Sequence, residues 1–352
     1  MNTPSASAAL YYARTTVTAL AASPSSPAPP PPPGLARAAL AATAAFFLLD
    51  AAVTRWLPLE AWLAAISRGP ARASGPKARA ALAREVGIKV VGLVHLGVQL
   101  PLAAVALLSA PGRAALGGGP LLASLAPPAA AARLYAATPL THAVVSISAG
   151  YFAWDVASLM PRAATAGPAM LAHGCLCAAL YWYGALTGSL SFYGSLFVLW
   201  EASTPAVYAR WLAAEAGWGG TAAYAGVGVG MILSFFLARV LGGAAASASF
   251  WASAAAELAS PVHRPGALHP ALLLGFRAAN VGMTALNLWW FGRMVAGLAR
   301  LVARARCGAA GAAAGAGVVL KEGGVRSGGG GGENVAPGVA PAGPAKAAGR
   351  EE

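Results

Sequence analysis

The sequence predicts an all-α fold, a polytopic transmembrane helical bundle of about seven spans, and three observations predict it. The 352-residue chain is 58% hydrophobic and 10% charged, with a mean hydropathy of +0.62. A water-soluble chain carries charge on roughly a quarter of its residues, so this one has too few charges to cover a surface. Apolar stretches of membrane-crossing length recur along it; a hydrocarbon core about 30 Å thick needs roughly 20 such residues per helix. The basic residues behind a net charge of +13 gather between and after those stretches. This pattern argues against a soluble enzyme, and against a nucleic-acid partner despite the charge. Cys175, Cys177 and Cys307 make neither a disulfide framework nor a zinc-ligand spacing.

The apolar segments fall near 36–57, 86–109, 139–160, 168–187, 189–212, 221–241 and 271–298. Thr138-Pro139 reads as an N-cap followed by proline in the first turn, and Gly167-Pro168 opens the fourth segment. The stretch 242–270 is Ala/Ser-rich, carries Pro261, Pro265 and Pro270, and leaves the end of the sixth segment open. Residues 1–34, rich in Ala, Ser, Thr and Pro, read as a disordered or targeting segment. Residues 35–81 supply the first helix and a basic loop, 82–302 the main bundle, and 303–352 a Gly/Ala/Pro-rich tail expected to be disordered.

Charge sets the expected orientation. Arg68, Arg72, Lys77, Arg79 and Arg84 crowd the first loop, and Arg300, Arg304 and Arg306 follow the last segment. Six segments separate the clusters, so both lie on one side, which the positive-inside rule makes cytosolic. The other side holds Arg113, Arg133 and Arg264. A lumenal N-terminus and a cytosolic C-terminus follow, and the basic loops are expected to attract anionic lipid headgroups.

Charged side chains are costly at bilayer centre, about 2.5–3.5 kcal/mol on insertion scales, so each needs a partner, a cavity or a purpose. Only Asp50, Asp155 and Glu201 of the acidic residues lie inside the segments, Asp50 near a helix end. Ser148, Tyr151 and Asp155 share a face by helical spacing, either as an interhelical bonding set or as a cavity lining. Glu201, Thr204 and Tyr208 share another. Pro205 has no N–H for the Glu201 carbonyl, so the helix should bend or open there. A buried carboxylate beside a freed carbonyl would invite a proton, an Arg or a polar headgroup.

His173 is alone in the fourth segment; His95 and Gln99 pair ahead of Pro101, and His142 lies near an interface. Arg277, Asn280, Thr284, Asn287 and Phe291 form a stripe that must face the bundle interior. Trp289 and Trp290 fit an aromatic belt. Arg277 and Arg239 are alternative partners for Glu201 or Asp155. Gly226 and Gly230 form a GxxxG pattern for close helix packing. Lys77, Lys89, Lys321 and Lys346 all lie outside the last segment, which excludes a retinal Schiff base there. No phosphate-binding glycine loop, prenylation box or metal-ligand pattern is present, so no metal or other cofactor is expected.

The ordered motifs SISAGYFAWD, a histidine in the next segment, WEASTPAVYARW, FFLARV and NLWWF resemble the TLC domain (TRAM, LAG1 and CLN8 homology) over about residues 82–302. Within that superfamily they are most similar to the TLCD-type, TMEM56-like branch and less similar to ceramide synthases. Those enzymes carry paired histidines and paired aspartates, whereas here His173 is followed by Gly174 and no Asp-Asp exists.

The resemblance implies an endoplasmic-reticulum or other endomembrane protein of lipid homeostasis, with plastid or mitochondrial membranes as the alternative address. Membrane lipids are the implied partners. Ser148, Tyr151, Asp155, His173, Glu201, Thr204, Pro205, Arg239, Arg277, Asn280 and Asn287 are the expected cavity positions. Three functions stay open: lipid binding, sensing or trafficking; acyl transfer from acyl-CoA, with His173 as base or acyl acceptor and Asp155 or Glu201 orienting it; and a cargo receptor or scaffold.

Overall fold

The structure is a computed structural model that describes residues 34–67, 75–109, 131–259 and 267–322; every regular element among them is helical. Helix α1 is Leu35–Trp56, α2 Leu59–Ile66 and α3 Pro76–Leu108. Helix α4, Pro139–Leu159, continues through a 3-10 turn to Ala166, and α5 is Pro168–Thr187. Then come α6 (Ser191–Phe197), a 3-10 segment (Val198–Ser203), α7 (Thr204–Glu215), α8 (Ala222–Phe235), a π-helical segment (Phe236–Leu241), α9 (Gly242–Leu258) and α10 (Pro270–Glu322).

Among the described residues, six stretches are long and apolar enough to cross a membrane: Leu35–Trp56, Pro76–Leu108, Pro139–Ala166, Pro168–Thr187, Ala222–Leu258 and Pro270–Arg300. The segment expected at 189–212 differs from these. It is assembled from pieces of 7, 6 and 12 residues that follow one another without a gap. Joined, they reach roughly 40 Å, enough to cross as a broken seventh span. The sixth does not end at 241: it runs unbroken to Leu258, because Ala and Ser are tolerated in a helix and the prolines begin only at Pro261.

The last helix also outruns its expected limit at 302, its backbone staying helical to Glu322 over an alanine-rich stretch. The portion from Ala299 forms a unit of its own. The leading segment before Gly34, the tail beyond Glu322, and Arg68, Arg72, Arg113 and Arg264 lie outside the described residues.

Local chemistry explains the helix starts. Thr138 and Thr141 form a reciprocal capping box on α4, with Pro139 in its first turn. Gly188 at φ 73° ends α5, and Leu190 at φ 62° turns the chain into α6.

Long-range bonds fix the two ends of the bundle. At the basic end, α1, α4 and α7 finish where α3, α5 and α8 begin. There Arg84 clamps Asp50 through both terminal nitrogens, Arg162 pairs with Glu85, and Trp218 Nε1 donates to the Ile66 carbonyl at 3.1 Å. At the opposite end, Tyr135 donates to Glu257 at 2.8 Å and accepts from the Leu268 N–H at 2.9 Å.

One apolar cluster joins α1, α3, α4 and α5 around Val91, Val144, Phe152 and Trp154. A second joins α6, α9 and α10 around Phe192, Tyr193, Phe250 and Leu273. The closest packing is α1 on α4. A Cβ added at Gly150 would lie 2.5 Å from the Thr43 nitrogen and 2.6 Å from the Ala42 carbonyl carbon. The GxxxG glycines do no such work: a Cβ at Gly226 or Gly230 meets nothing within 4 Å. Leu40, Leu48, Val105, Leu233, Leu237, Leu274 and Leu288 point outward, an apolar exterior that lipid would cover.

Candidate functional site: an apolar cavity beside a buried ion pair

The broken segment Ser191–Glu215 builds the site. At its 3-10 segment the Thr204 N–H closes onto the Glu201 carbonyl, so that carbonyl is not freed as the proline led one to expect. Pro205 sits in the first turn of α7, where a missing N–H costs nothing. What the break does instead is turn Glu201, Ser203 and Thr204 toward one point.

That point is Arg239. It projects from the π-helical segment, whose extra residue per turn shifts the helix face locally. Its Nη2 donates to Glu201 Oε1 at 2.9 Å and to Thr204 Oγ1 at 3.0 Å. Nε donates to Ser203 Oγ at 3.0 Å, and Nη1 to Asn287 Oδ1 at 3.3 Å. Thr204 in turn donates to Glu201 Oε2 at 2.5 Å. Both carboxylate oxygens and all three guanidinium nitrogens are engaged, which is the condition under which a buried ion pair is tolerable. The arrangement answers the choice left open by sequence: Arg239, not Arg277, meets Glu201. Arg277 lies over the Trp251 ring at 4.1 Å.

Glu201 also forms part of the wall of a cavity of about 850 Å³, open side included, bounded by α4, α5, α6, α9 and α10. The wall is apolar and aromatic, with Phe152, Tyr181, Phe197, Trp200 and Phe276 prominent. Polar groups are few: His173, Glu201 and Asn280, with the Cys177 thiol. Two aromatic contacts bridge α5 and α10 beside it, His173 on Trp290 at 5.5 Å and Tyr183 on Phe276 at 4.9 Å. His173 Nε2 lies 3.9 Å from Cys177 Sγ, and its Nδ1 has no partner.

The stripe on α10 faces inward. Asn280 accepts from Trp251 Nε1 at 2.9 Å and donates to Ser247 at 3.0 Å; Asn287 receives Arg239; Phe291 stacks on Phe236 at 5.6 Å.

Ser148, Tyr151 and Asp155 of α4 are not among the residues that line this cavity. Ser148 is wholly buried without a partner, and Tyr151 stacks on His95 at 3.8 Å with rings 4° from parallel. The Asp155 carboxylate faces α5, its Oδ2 3.6 Å from where a Cβ on Gly174 would be. Neither Asp155 nor Glu201 hydrogen-bonds His173. His142, near the start of α4, is 3% exposed. Sequence reasoning passed over Ser203 and Cys177. Ser203 lies inside the very motif that was singled out, and Cys177 follows His173 by one helical turn, the signal that could have found it.

No group of metal-ligating residues occurs among the described residues. No curated protein and no solved structure matches the chain. The TLC domain matches it over residues 87–296, from α3 to the last turns of the membrane-crossing part of α10, a stretch that holds the cavity, the Glu201–Arg239 pair and the α10 stripe. The chain belongs to the TLC domain (TRAM, LAG1 and CLN8) family of multi-pass helical membrane proteins.

Proposed function

We propose that the protein binds a membrane lipid in this cavity and acts in membrane lipid homeostasis, sensing or moving that lipid. One observation carries the reading: an apolar, aromatic hollow whose wall holds Glu201 of a saturated buried ion pair. Such a hollow suits an acyl chain, and the few polar groups at its wall suit the polar end of the same molecule. The basic end faces the cytosol in this reading, with the N-terminus lumenal in an endoplasmic-reticulum or other endomembrane. His173-Gly174 in place of paired histidines supports the TLCD-type branch over the ceramide synthases.

Acyl transfer is the second reading, supported by the free Nδ1 of His173 on the cavity wall. It lacks an orienting acid, since Glu201 is committed to Arg239 and Thr204 and Asp155 faces Gly174. Native mass spectrometry of the protein in lipid nanodiscs separates the two. Retained lipid that Glu201→Gln releases, without turnover of labelled acyl-CoA, supports binding. Turnover that vanishes in folded His173→Ala supports the enzyme. An empty cavity with activity lost only on deleting the C-terminal tail overturns both in favour of a scaffold.

A further inference from the structure

A second cavity, separate from the first, lies between α1 and α4 toward the basic end. The two helices touch closely at Gly150, and the cavity begins about one turn further along each, at Phe47 and Trp154. The space between them, about 540 Å³ with its open side, is lined by Phe47, Asp50, Arg84, Trp154, Ser158 and Arg162 among others. Its chemistry is that of hydrogen-bond donors. Arg84 gives Asp50 a hydrogen bond from each terminal nitrogen, the longer at 2.7 Å, and its side chain is still 36% exposed. Arg162 is held by Glu85 and by the Ser158 carbonyl at 3.1 Å from its Nε, which leaves Nη2 uncommitted.

The single carboxylate of Glu85 serves two cations, Arg162 and Lys89, the second at 3.2 Å. Lys89 also sits over the Trp211 ring at 3.7 Å and within electrostatic reach of Glu215, as Arg162 is of Asp155. Asp155, on the α4 turn between Trp154 and Ser158, is aimed at Gly174 on α5.

The independent observation is Trp154. Its side chain lines this cavity, is fully buried, and its indole Nε1 has no hydrogen-bond partner. A buried donor left unpaired is costly and is ordinarily answered by a partner. From Phe47 on the cavity wall, 47% exposed, an apolar track continues along α1 to Leu40, two turns away and 59% exposed.

We infer that this α1–α4 cavity is a second lipid site, which takes the phosphate-bearing headgroup of an anionic phospholipid from the leaflet at the basic end. Arg84 and Arg162 supply the planar donor forks that suit phosphate oxygens, the Trp154 N–H supplies a neutral donor, and the acyl chains lie along Phe47 and Leu40. The site does not depend on what fills the larger cavity.

The test uses the full chain in nanodiscs of phosphatidylcholine, with and without phosphatidylglycerol. Retention of phosphatidylglycerol is read by native mass spectrometry, and thermal shift is read with dioctanoyl phosphatidylglycerol, dioctanoyl glycerol or inorganic phosphate. The expected result is preferential retention of phosphatidylglycerol, a shift of several degrees with the short phospholipid, and none with the other two probes. Trp154→Phe, which keeps the ring and removes the N–H, lowers retention several-fold; Arg162→Gln lowers it about tenfold, and Arg162→Lys falls between. Arg55→Gln, an exposed charge at the same end, changes nothing. Equal retention by Trp154→Phe and wild type overturns the proposal, as does an equal loss in Arg55→Gln or an equal shift with inorganic phosphate. Loss of lipid in Glu201→Gln alone concerns the larger cavity, so the two readings fail separately.

Discussion

Arg239 and Glu201, 38 residues apart, meet at 2.9 Å through Nη2 and Oε1, and neither helix that carries them is regular at that point. One side contributes a 3-10 segment and the other a π-helical one. Two local departures from α-helix therefore cooperate to bring opposite charges together in an apolar interior.

Removing one member should cost far more than removing both. Arg239→Ala leaves a buried carboxylate unpaired and should destabilise by about 3–5 kcal/mol. Glu201→Gln combined with Arg239→Gln should recover a large part of that. Thermal unfolding of the single and double variants in one detergent, read as a double-mutant cycle, gives the coupling.

The π-helical segment should be indispensable in the same way. Deleting Leu237, which removes the extra residue, restores α-helical register and rotates Arg239 off the Glu201 side. The helix should still form, as far-ultraviolet circular dichroism would report, while thermal stability falls as in Arg239→Ala. Unchanged stability would mean that the segment does not position the guanidinium.

Glycine substitutions should divide sharply. Gly150→Ala drives a methyl to 2.5 Å from the α1 backbone, which has no side chain to yield, and overpacking of this kind costs about 1–3 kcal/mol or more. Gly226→Ala meets nothing within 4 Å and should be neutral or stabilising by up to about 1 kcal/mol. Melting temperatures of the two variants decide it.

Trp290→Ala removes the ring that packs edge-on against His173 at 5.5 Å, one of the two contacts bridging α5 and α10. On the lipid-binding reading, exchange of a fluorescent lipid with the cavity should quicken several-fold while the melting temperature moves little. Unchanged exchange would place the route elsewhere.

Much of this architecture could be read from sequence, for identifiable reasons. Span length and apolar composition mark helices independently of their neighbours, and the capping signals at Thr138 and Gly167 are local. The α10 stripe was legible because a helix enforces its own periodicity. Pairing was not: Arg239 and Arg277 look alike on a helical wheel, and only the shifted face of Phe236–Leu241 separates them. Tyr151 and Asp155 were legible as inward-facing, yet which neighbour they face depends on α3 and α5, whose approach no single segment encodes. A break at Pro205 was legible, but not its form, a 3-10 segment that keeps the Glu201 carbonyl bonded while its side chain meets Arg239.

The patchwork span from Ser191 to Glu215 has a consequence for biogenesis. No one of its pieces has the length or uniform greasiness that lets a nascent helix leave the insertion machinery on its own. Its carboxylate emerges from the ribosome before the guanidinium that will neutralise it. If this stretch crosses the membrane, a chain stopped between residues 215 and 239 should hold it beside the translocation channel, as a client for chaperones of membrane insertion.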